Sequence, residues 1–151
     1  MARVMVVGSD PPPPEAFQHG PAVELVGFVN DIRESLGRYS LFLCPILSGS
    51  GVRVKLLEAF AAGIPVVSTR LGAEGLAHKD GEICALADDP ADFAQHVVRL
   101  LRNPEEAAAL AARARDYVVE QRDMLKMTQR MVASYRAEIA RKAATSPSTS
   151  H

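Results

Sequence analysis

The chain has 151 residues, 48% of them hydrophobic and 23% charged, with a formal net charge of −1, which is typical of a globular protein that can bury a core. Aromatic residues make up 5%, tryptophan is absent and no segment is dense in Lys and Arg, so the composition argues against a nucleic-acid partner. No apolar run approaches the ~20 residues of a membrane span, and because Met1-Ala2-Arg3 leads straight into an apolar run we expect no signal peptide and a cytoplasmic location.

The N-terminal part predicts two strands and a helix. Residues 3–8 form a continuous apolar run, as in a parallel strand that is buried on both faces. The prolines at 11–14 predict an extended connector, with an SH3-type ligand as the alternative. Residues 23–29 predict the second strand, after which Asn30 or Asp31 caps a helix. The apolar face of that helix is predicted to contain Ile32, Leu36 and Tyr39.

The centre of the chain has the pattern of a βαβ unit. Residues 41–46 predict a strand, 48–51 a glycine-serine loop and 52–62 a helix that ends at Gly63. Residues 64–68 predict the next strand. The loop therefore lies at the carboxyl end of a parallel strand, which is where open α/β sheets bind ligands.

The C-terminal part is predicted to be mainly helical. A loop with two glycines spans 69–76, and a turn at Asp80-Gly81 precedes a short strand at 82–86. Asp88-Asp89-Pro90 is a helix start with proline at the first helical position, and Asn103-Pro104 ends that helix. A second helical region begins at Glu105, with a break at Arg122-Asp123. The predicted apolar faces are Phe93, Val97, Leu100 and Leu101, then Leu110, Ala111, Ala114, Tyr117 and Val118, and last Met124, Met127, Met131, Tyr135 and Ile139.

These elements predict a doubly wound parallel α/β domain, Rossmann-like, with a C-terminal helical extension. We place the domain at residues 1–142 and expect residues 143–151, rich in Ser, Thr and Pro, to remain unpacked. The methionine stripe from Met124 to Met131 is interpreted as a packing face rather than a cofactor site. Cys44 and Cys84 lie in predicted strands without a metal-ligand spacing, so we expect buried, reduced thiols and no metal.

The glycine-serine loop carries the candidate binding residues. Its backbone N–H groups and the positive end of the following helix suit an anion, and cationic and anionic side chains follow within two turns. A phosphate-bearing ligand is therefore predicted. The predicted binding residues are Gly49, Ser50, Gly51, Val52, Arg53, Lys55 and Glu58.

Simpler interpretations of these residues stay open. Glu58 would form only an ion pair with Lys55, three residues away on the helix. Arg53 and Lys55 would be solvated surface cations, and the two glycines would serve only the turn. Asn30 and Asp31 would be helix caps, whereas Glu74 would either reach the ligand through its loop or be a surface charge.

The stretch from residue 23 to 76 resembles the C-terminal half of group 1 glycosyltransferases, the retaining GT-B-fold enzymes of family 4. The resemblance depends on Val26-Gly27-Phe28-Val29, Cys44-Pro45, the run from Gly49 to Thr69, and Gly72-Ala73-Glu74-Gly75-Leu76. It continues through Asp88-Asp89-Pro90 to about Ile139. It implies two Rossmann-like domains across a cleft, the C-terminal one holding the nucleotide-sugar donor and the N-terminal one the acceptor.

The resemblance also implies roles for individual residues. Glu58 matches the second glutamate of a family pair and would hydrogen-bond the donor ribose, with Glu58 and Arg53 as the catalytic residues. Ser50 stands in place of the first glutamate, which is a departure from the family pattern. The family's Arg/Lys clamp for the pyrophosphate lies upstream of the segment matched by residues 4–8. We therefore expect an incomplete donor domain that is inactive without the rest.

The hypothesis is a donor-binding domain for retaining sugar transfer to a glycan, lipid or small-molecule acceptor, as in polysaccharide biosynthesis. The resemblance implies a nucleotide-diphosphate sugar as substrate, no cofactor and no metal, and is compatible with peripheral inner-membrane association. The alternative is a non-catalytic Rossmann-like module that has lost donor chemistry, favoured by Ser50. A nucleotide-sugar epimerase is a third hypothesis, but Gly8-Ser9-Asp10-Pro11 lacks the glycine fingerprint that it requires.

Overall fold

The computed structural model describes residues 2–8, 20–31, 38–51, 53–122 and 124–145. The chain divides into two compact units, Met1–Arg38 and Tyr39–His151. Each contains a parallel sheet, so the predicted α/β class is confirmed, with the strands pairing within their own unit. The proline connector and the body of the helix predicted after Asp31 lie outside the described residues.

The first unit contains two parallel strands, β1 (Val4–Val7) and β2 (Val23–Gly27). Strand β2 ends two residues earlier than predicted, at Gly27, whose φ of +77° breaks the extended backbone. The side chains of Val4 and Val6 are 38% and 36% exposed. The prediction that β1 is buried on both faces is therefore wrong, because the face that carries these valines is only partly covered in this two-stranded sheet.

The second unit is built on three parallel strands, β3 (Phe42–Cys44), β4 (Val66–Ser68) and β5 (Ala85–Leu86), in the order β3-β4-β5. All three residues of the central strand β4 are fully buried. The strands are shorter than the predicted ones. Pro45 follows β3 and Pro65 precedes β4, and proline has no N–H to extend a ladder.

Helix α1 (Val54–Ala61) connects β3 to β4, as the βαβ pattern predicts. Its buried face consists of Leu56, Ala59 and Phe60. The helix ends at Ala61 with Ala62 as its C-cap, and Gly63, predicted as the C-cap, follows with a φ of +70°. The N–H of Gly63 donates to the carbonyl of Phe60, and that of Ile64 to the carbonyl of Ala59, both at 3.0 Å. This is the paired C-terminal bonding that a left-handed glycine allows.

The C-terminal helices are α2 (Pro90–Arg102), α3 (Pro104–Tyr117) and α4 (Met124–Thr145), with a π-helical segment (Val118–Arg122) between α3 and α4. Asp89 caps α2 as predicted, because its Oδ1 accepts from the N–H of Ala91 at 2.8 Å and of Asp92 at 3.2 Å. Helix α4 extends to Thr145, three residues past the predicted domain boundary.

Helices cover both faces of the three-stranded sheet, as expected for a doubly wound fold. Val66 packs in a core with Leu56, Phe60 and Ala114, whereas its neighbour Val67 packs on the other side. That second core contains Val67, Ala85, Leu100, Ala107 and Leu110. The predicted apolar stripe of α3 is confirmed, and that of α2 is confirmed except for Leu101, which is 39% exposed.

The apolar stripe of α4 is exposed in this structure. Met127, Met131, Tyr135 and Ile139 are 46%, 52%, 63% and 67% exposed. The predicted packing face is therefore not covered by the residues that the structure describes, since periodicity identifies an apolar face but not what covers it. None of the described helices is both long and apolar enough to cross a membrane.

Candidate functional site

Two loops follow the adjacent strands β3 and β4 of the second unit. We call residues 45–53 the glycine loop and residues 69–76 the Gly72 loop. Cys44 and Ser68, the last residues of the two strands, are paired in register. Because the strands are parallel, both loops leave from the same edge of the sheet, where ligands bind in folds of this class.

The glycine loop has a backbone that only glycine adopts easily at two positions. Gly49 and Gly51 have φ values of +108° and +110°. The Arg53 guanidinium closes the loop, because its Nη2 donates to the carbonyl of Gly49 at 3.1 Å. Ser50 lies exposed between the glycines, and Val52 lies outside the described residues.

Arg53 also begins helix α1. Its carbonyl accepts from the N–H of Leu56 at 3.0 Å and of Leu57 at 3.2 Å, and no side chain caps this end. The first turn contains no acidic residue, so the positive end of the helix is not neutralised locally. Arg53 Nε is buried and has no hydrogen-bond partner in the described structure. A buried donor without a partner is destabilising, and an anion at this position would satisfy it.

The two charged residues on α1 differ in exposure. Lys55 is exposed, whereas Glu58 is half-buried beside Leu57. No Glu58–Lys55 ion pair is present among the described residues, so the simple pairing predicted as an alternative for Glu58 is not seen. The structure thus brings Gly49, Gly51, Arg53 and the start of α1 together, with Glu58 farther along the same helix.

Thr69 joins the two loops. Its hydroxyl donates to the carbonyl of Ile46 in the glycine loop at 2.6 Å and accepts from the N–H of Gly72 at 2.9 Å. Its own N–H donates to the carbonyl of Cys44 at 3.2 Å, and the side chain is almost completely buried. Sequence reasoning placed Thr69 only in a loop. A short polar residue directly after a buried strand is the signal that it missed.

Gly72 is required by packing rather than by its backbone angles. A Cβ there would lie 2.5 Å from Ser68 Oγ and 2.8 Å from the carbonyl oxygen of Cys44. The Gly72 loop therefore lies directly against the end of β3. Glu74 is exposed on this loop, and no described residue forms an ion pair with it.

The cysteines are both buried and free, as predicted. Burial raises the pKa of the Cys84 thiol to about 12, with the nearby carboxylates of Asp80 and Glu82 adding to the effect. Burial also raises the pKa of Cys44, partly offset by its bond with Ser68 and by the positive charges of Arg53 and Lys55. In the part of the chain that the structure describes, no three His, Cys, Asp or Glu residues are grouped to hold a metal.

A separate cleft of about 500 Å³ lies at the carboxyl ends of β4 and β5 and contains none of the predicted site residues. Several of its charged groups have partners: Arg70 Nε lies 3.5 Å from Asp88 Oδ2, Asp89 caps α2, and Arg99 Nε lies 3.2 Å from Glu106 Oε1. These ion pairs are partly exposed to solvent, and the cleft is not included in the candidate site.

Comparison with known proteins matches residues 1–103 to the family described as glycosyl transferases group 1. An uncharacterised 44.6 kDa protein of the Klebsiella pneumoniae cps region is 33% identical over 87 residues, covering 58% of this chain and 22% of that protein. Phosphatidyl-myo-inositol mannosyltransferase of Mycobacterium leprae is 28% identical over 145 residues, covering 87% of this chain and 39% of that protein. This chain therefore matches less than half of either protein.

Solved structures show the same fold. Sucrose-phosphate synthase of Thermosynechococcus elongatus has a TM-score of 0.72 at 21% identity, covering 91% of this chain and 39% of its own. Anabaena HepE in complex with UDP has a TM-score of 0.68 at 19% identity, and the match covers 77% of this chain and 32% of HepE. WaaG, a glycosyltransferase involved in lipopolysaccharide biosynthesis, has a TM-score of 0.66 at 25% identity, covering 79% and 34%.

Proposed function

Because the chain belongs to the group 1 glycosyl transferases, we propose that it binds a nucleotide-diphosphate sugar as the donor-binding domain of such an enzyme. The proposal places the diphosphate against the glycine loop and the N-terminal end of α1. Solved relatives contain UDP or UDP-glucose, and the candidate site in this chain lies at the sheet edge where such ligands are expected.

The observation that carries the proposal is the state of Arg53. Its guanidinium is held beside Gly49, and its Nε is buried without a partner in the described structure. The Nε–H lacks a hydrogen-bond acceptor, and a phosphate oxygen is an acceptor whose negative charge and geometry suit a guanidinium. The uncapped first turn of α1 adds further N–H donors toward the same charge.

In this proposal Arg53 stabilises the departing diphosphate as the sugar is transferred with retention of configuration, and Glu58 hydrogen-bonds the donor ribose. The bond from the anomeric carbon to the diphosphate oxygen breaks while the acceptor hydroxyl oxygen bonds to the same face of that carbon, and the hydroxyl proton passes to the departing diphosphate. A cation held beside the leaving group lowers the energy of the transition state, because negative charge develops on the diphosphate oxygen there. The proposal requires neither a cofactor nor a metal.

Ser50 affects how the donor sugar is held. It stands where the family resemblance implies a glutamate, and it lies exposed between two glycines. A serine hydroxyl provides one neutral hydrogen bond in place of a carboxylate, so the contact with the sugar is proposed to be weaker than in the resembled enzymes. We also propose a role in donor binding for the residues of the glycine loop and the start of α1, namely Gly49, Ser50, Gly51, Val52 and Lys55.

The acceptor is proposed to be a glycan, lipid or small molecule, bound by parts of the enzyme that this chain does not match. The relatives support this range: one is named for phosphatidyl-myo-inositol, one is involved in lipopolysaccharide biosynthesis and one belongs to a cps region. A hexose donor, a cytoplasmic location and peripheral association with the inner membrane belong to the same proposal. The isolated chain is proposed to lack transfer activity.

A non-catalytic nucleotide-binding module is the second candidate. Ser50 favours it, because loss of the carboxylate at this position removes a sugar contact while leaving the glycine loop and Arg53 intact. The two candidates share the nucleotide site. They differ in whether the sugar contributes to binding.

Calorimetric titration tests both candidates. The wild-type chain is titrated with UDP, GDP, ADP and the matching nucleotide sugars, alongside Arg53→Gln and Glu58→Gln variants. We expect one nucleotide to bind selectively and Arg53→Gln to weaken it about tenfold or more. The controls are Arg115→Gln and Glu105→Gln, which remove a charge from exposed positions of α3.

The outcomes separate the hypotheses. Binding that both site variants weaken and neither control changes supports the donor site. Tighter binding of the nucleotide sugar than of the nucleotide favours the transferase, and equal binding favours the non-catalytic module. If no nucleotide binds to the folded chain, the proposed function is wrong for this chain.

A further inference from the structure

Arg122 lies in the π-helical segment between α3 and α4 and reaches back to the Gly72 loop. Its Nη2 donates to the carbonyl of Gly75 at 2.7 Å. No feature of the sequence connects this segment to the candidate site. From the sequence, Arg122 was predicted only to mark a break between two helices. This contact spans 47 residues of sequence.

Tyr117 orients the Arg122 guanidinium. The Tyr117 hydroxyl accepts from Nε at 3.1 Å and from Nη2 at 2.9 Å, and the guanidinium carbon lies 5.7 Å from the ring centroid. Two donors on one oxygen fix the plane of the guanidinium, so that Nη2 is directed at Gly75 rather than free to rotate.

The π-helical geometry makes this pairing available. Tyr117 and Arg122 are five residues apart, and at 3.6 residues per turn such residues point to different sides of an α-helix. The wider i→i+5 turn of Val118–Arg122 brings them to the same side. Insertions of this kind are frequent at functional sites, and here the insertion directs a cation toward a loop of the candidate donor site.

The loop that Arg122 holds is the one that Thr69 ties to the glycine loop. Gly72 and Ala73 are anchored at its start by the hydroxyl and carbonyl of Thr69. Gly75, near its end, has a φ of +74°, and its carbonyl accepts from Arg122. Glu74, exposed between these two anchors, is thus held in place at the edge of the sheet where the glycine loop begins.

We propose that Arg122 is a positioning residue for the donor site, holding the Gly72 loop as the second wall against which the nucleotide-diphosphate sugar binds. The inference rests on the proposed function for its ligand. Its structural half, that Arg122 sets the conformation of the loop, is independent of any ligand. Arg122 itself does not touch the donor in this proposal.

The experiment measures both halves on the same variants. Amide hydrogen exchange measures how often the Gly72 loop opens. It is followed at Leu76 and Ala77, whose N–H groups donate to the carbonyl of Ala73 at 3.0 Å. Titration with UDP, GDP and ADP measures the Kd of the nucleotide at the candidate site. The variants are Arg122→Gln, Tyr117→Phe and the conservative Arg122→Lys, with folding checked by circular dichroism.

Arg113→Gln is the matched control. Arg113 lies on α3 and donates to the carbonyls of Glu82 at 2.9 Å and Gly81 at 3.0 Å. It therefore also fixes a loop through carbonyl oxygens. That loop precedes β5 and lies at the amino end of its strand, away from the candidate site.

We expect Arg122→Gln to speed exchange at Leu76 and Ala77 about tenfold and to raise the nucleotide Kd by about the same factor. Tyr117→Phe should have a smaller effect, Arg122→Lys should restore part of both, and Arg113→Gln should change neither. Unchanged exchange in Arg122→Gln overturns the structural half. Faster exchange with an unchanged Kd overturns the role in donor binding.

The proposed function fails separately. If the wild-type chain binds none of the nucleotides, the function and the ligand half of this inference are both overturned. The exchange data still decide whether Arg122 holds the loop, because that measurement is made without ligand.

Discussion

The hydroxyl of Thr69 lies 2.6 Å from the carbonyl oxygen of Ile46, so one buried side chain joins the ends of β3 and β4. The same oxygen accepts from the N–H of Gly72. Donor and acceptor capacities of the hydroxyl are both used, at a position that is 3% exposed. This one hydroxyl therefore links the two candidate binding loops, beside the bond from the Thr69 N–H to the Cys44 carbonyl.

Replacing Thr69 by valine should destabilise the fold and weaken nucleotide binding. Valine keeps the shape but removes the hydroxyl, leaving the Ile46 carbonyl and the Gly72 N–H without their partner, at a cost of about 1–3 kcal/mol. Thr69→Ser keeps the hydroxyl and is the control. Urea unfolding of the wild-type chain and both variants measures the difference, and a Thr69→Val variant as stable as the wild type would show that the hydroxyl contributes nothing.

Substituting Gly72 should be more damaging than substituting a glycine in open space. An alanine Cβ at Gly72 would lie 2.5 Å from Ser68 Oγ and 2.8 Å from the carbonyl oxygen of Cys44, so backbone must move. We expect a loss of about 1–3 kcal/mol in unfolding free energy. Gly20→Ala is the matched control, because an added Cβ there meets no atom within 4 Å. Equal unfolding midpoints for the two variants would contradict the packing argument.

The sequence allowed most of the scaffold to be predicted because its signals are local. Asp89 was predicted as an N-cap from residue type and position and is observed as one, and the predicted C-cap Gly63 lies one residue after the observed C-cap Ala62. Gly49, Gly51 and Arg53 were selected from the same kind of local signal, and their role in ligand binding stays a prediction. The contacts of Thr69 and Arg122 with the candidate loops were missed, because their partners lie 23 and 47 residues away along the chain.

The exposed stripe on α4 also shows that local sequence signals do not predict contacts between distant elements. Its periodicity matches that of α3, yet Ile139 is 67% exposed whereas Leu110 is 3% exposed. Periodicity predicts which side chains share a helix face. It carries no information about whether another element covers that face.

This contrast leads to a stability prediction. Leu110→Ala removes a buried side chain from the core of the second unit and should cost about 2–5 kcal/mol. Ile139→Ser changes an exposed position of α4 and should shift the unfolding free energy by no more than about 0.5 kcal/mol. Thermal and urea unfolding of both variants measure this difference. A large loss from Ile139→Ser would mean that the α4 stripe is covered in solution.

The buried thiol of Cys84 should make the fold sensitive to alkali. Burial raises its pKa from the ordinary thiol value of 9.0 to about 12, so between these two values the folded state keeps a proton that the unfolded state has lost. The native state therefore binds more protons, and the unfolding free energy falls as the pH rises, by at most about 1.4 kcal/mol per pH unit from this group. The contribution is complete below pH 9.0 and is lost as the pH rises toward about 12.

Urea unfolding from pH 8 upward, compared between the wild-type chain and Cys84→Ala, isolates this contribution. Alanine removes the titrating group, and its smaller volume lowers stability by an amount that does not depend on pH. We therefore expect the wild-type curve to fall more steeply with pH than that of Cys84→Ala, with all other titrating groups common to both. Parallel curves would contradict the raised pKa, and fast alkylation of Cys84 in the folded chain at pH 8 would contradict its burial.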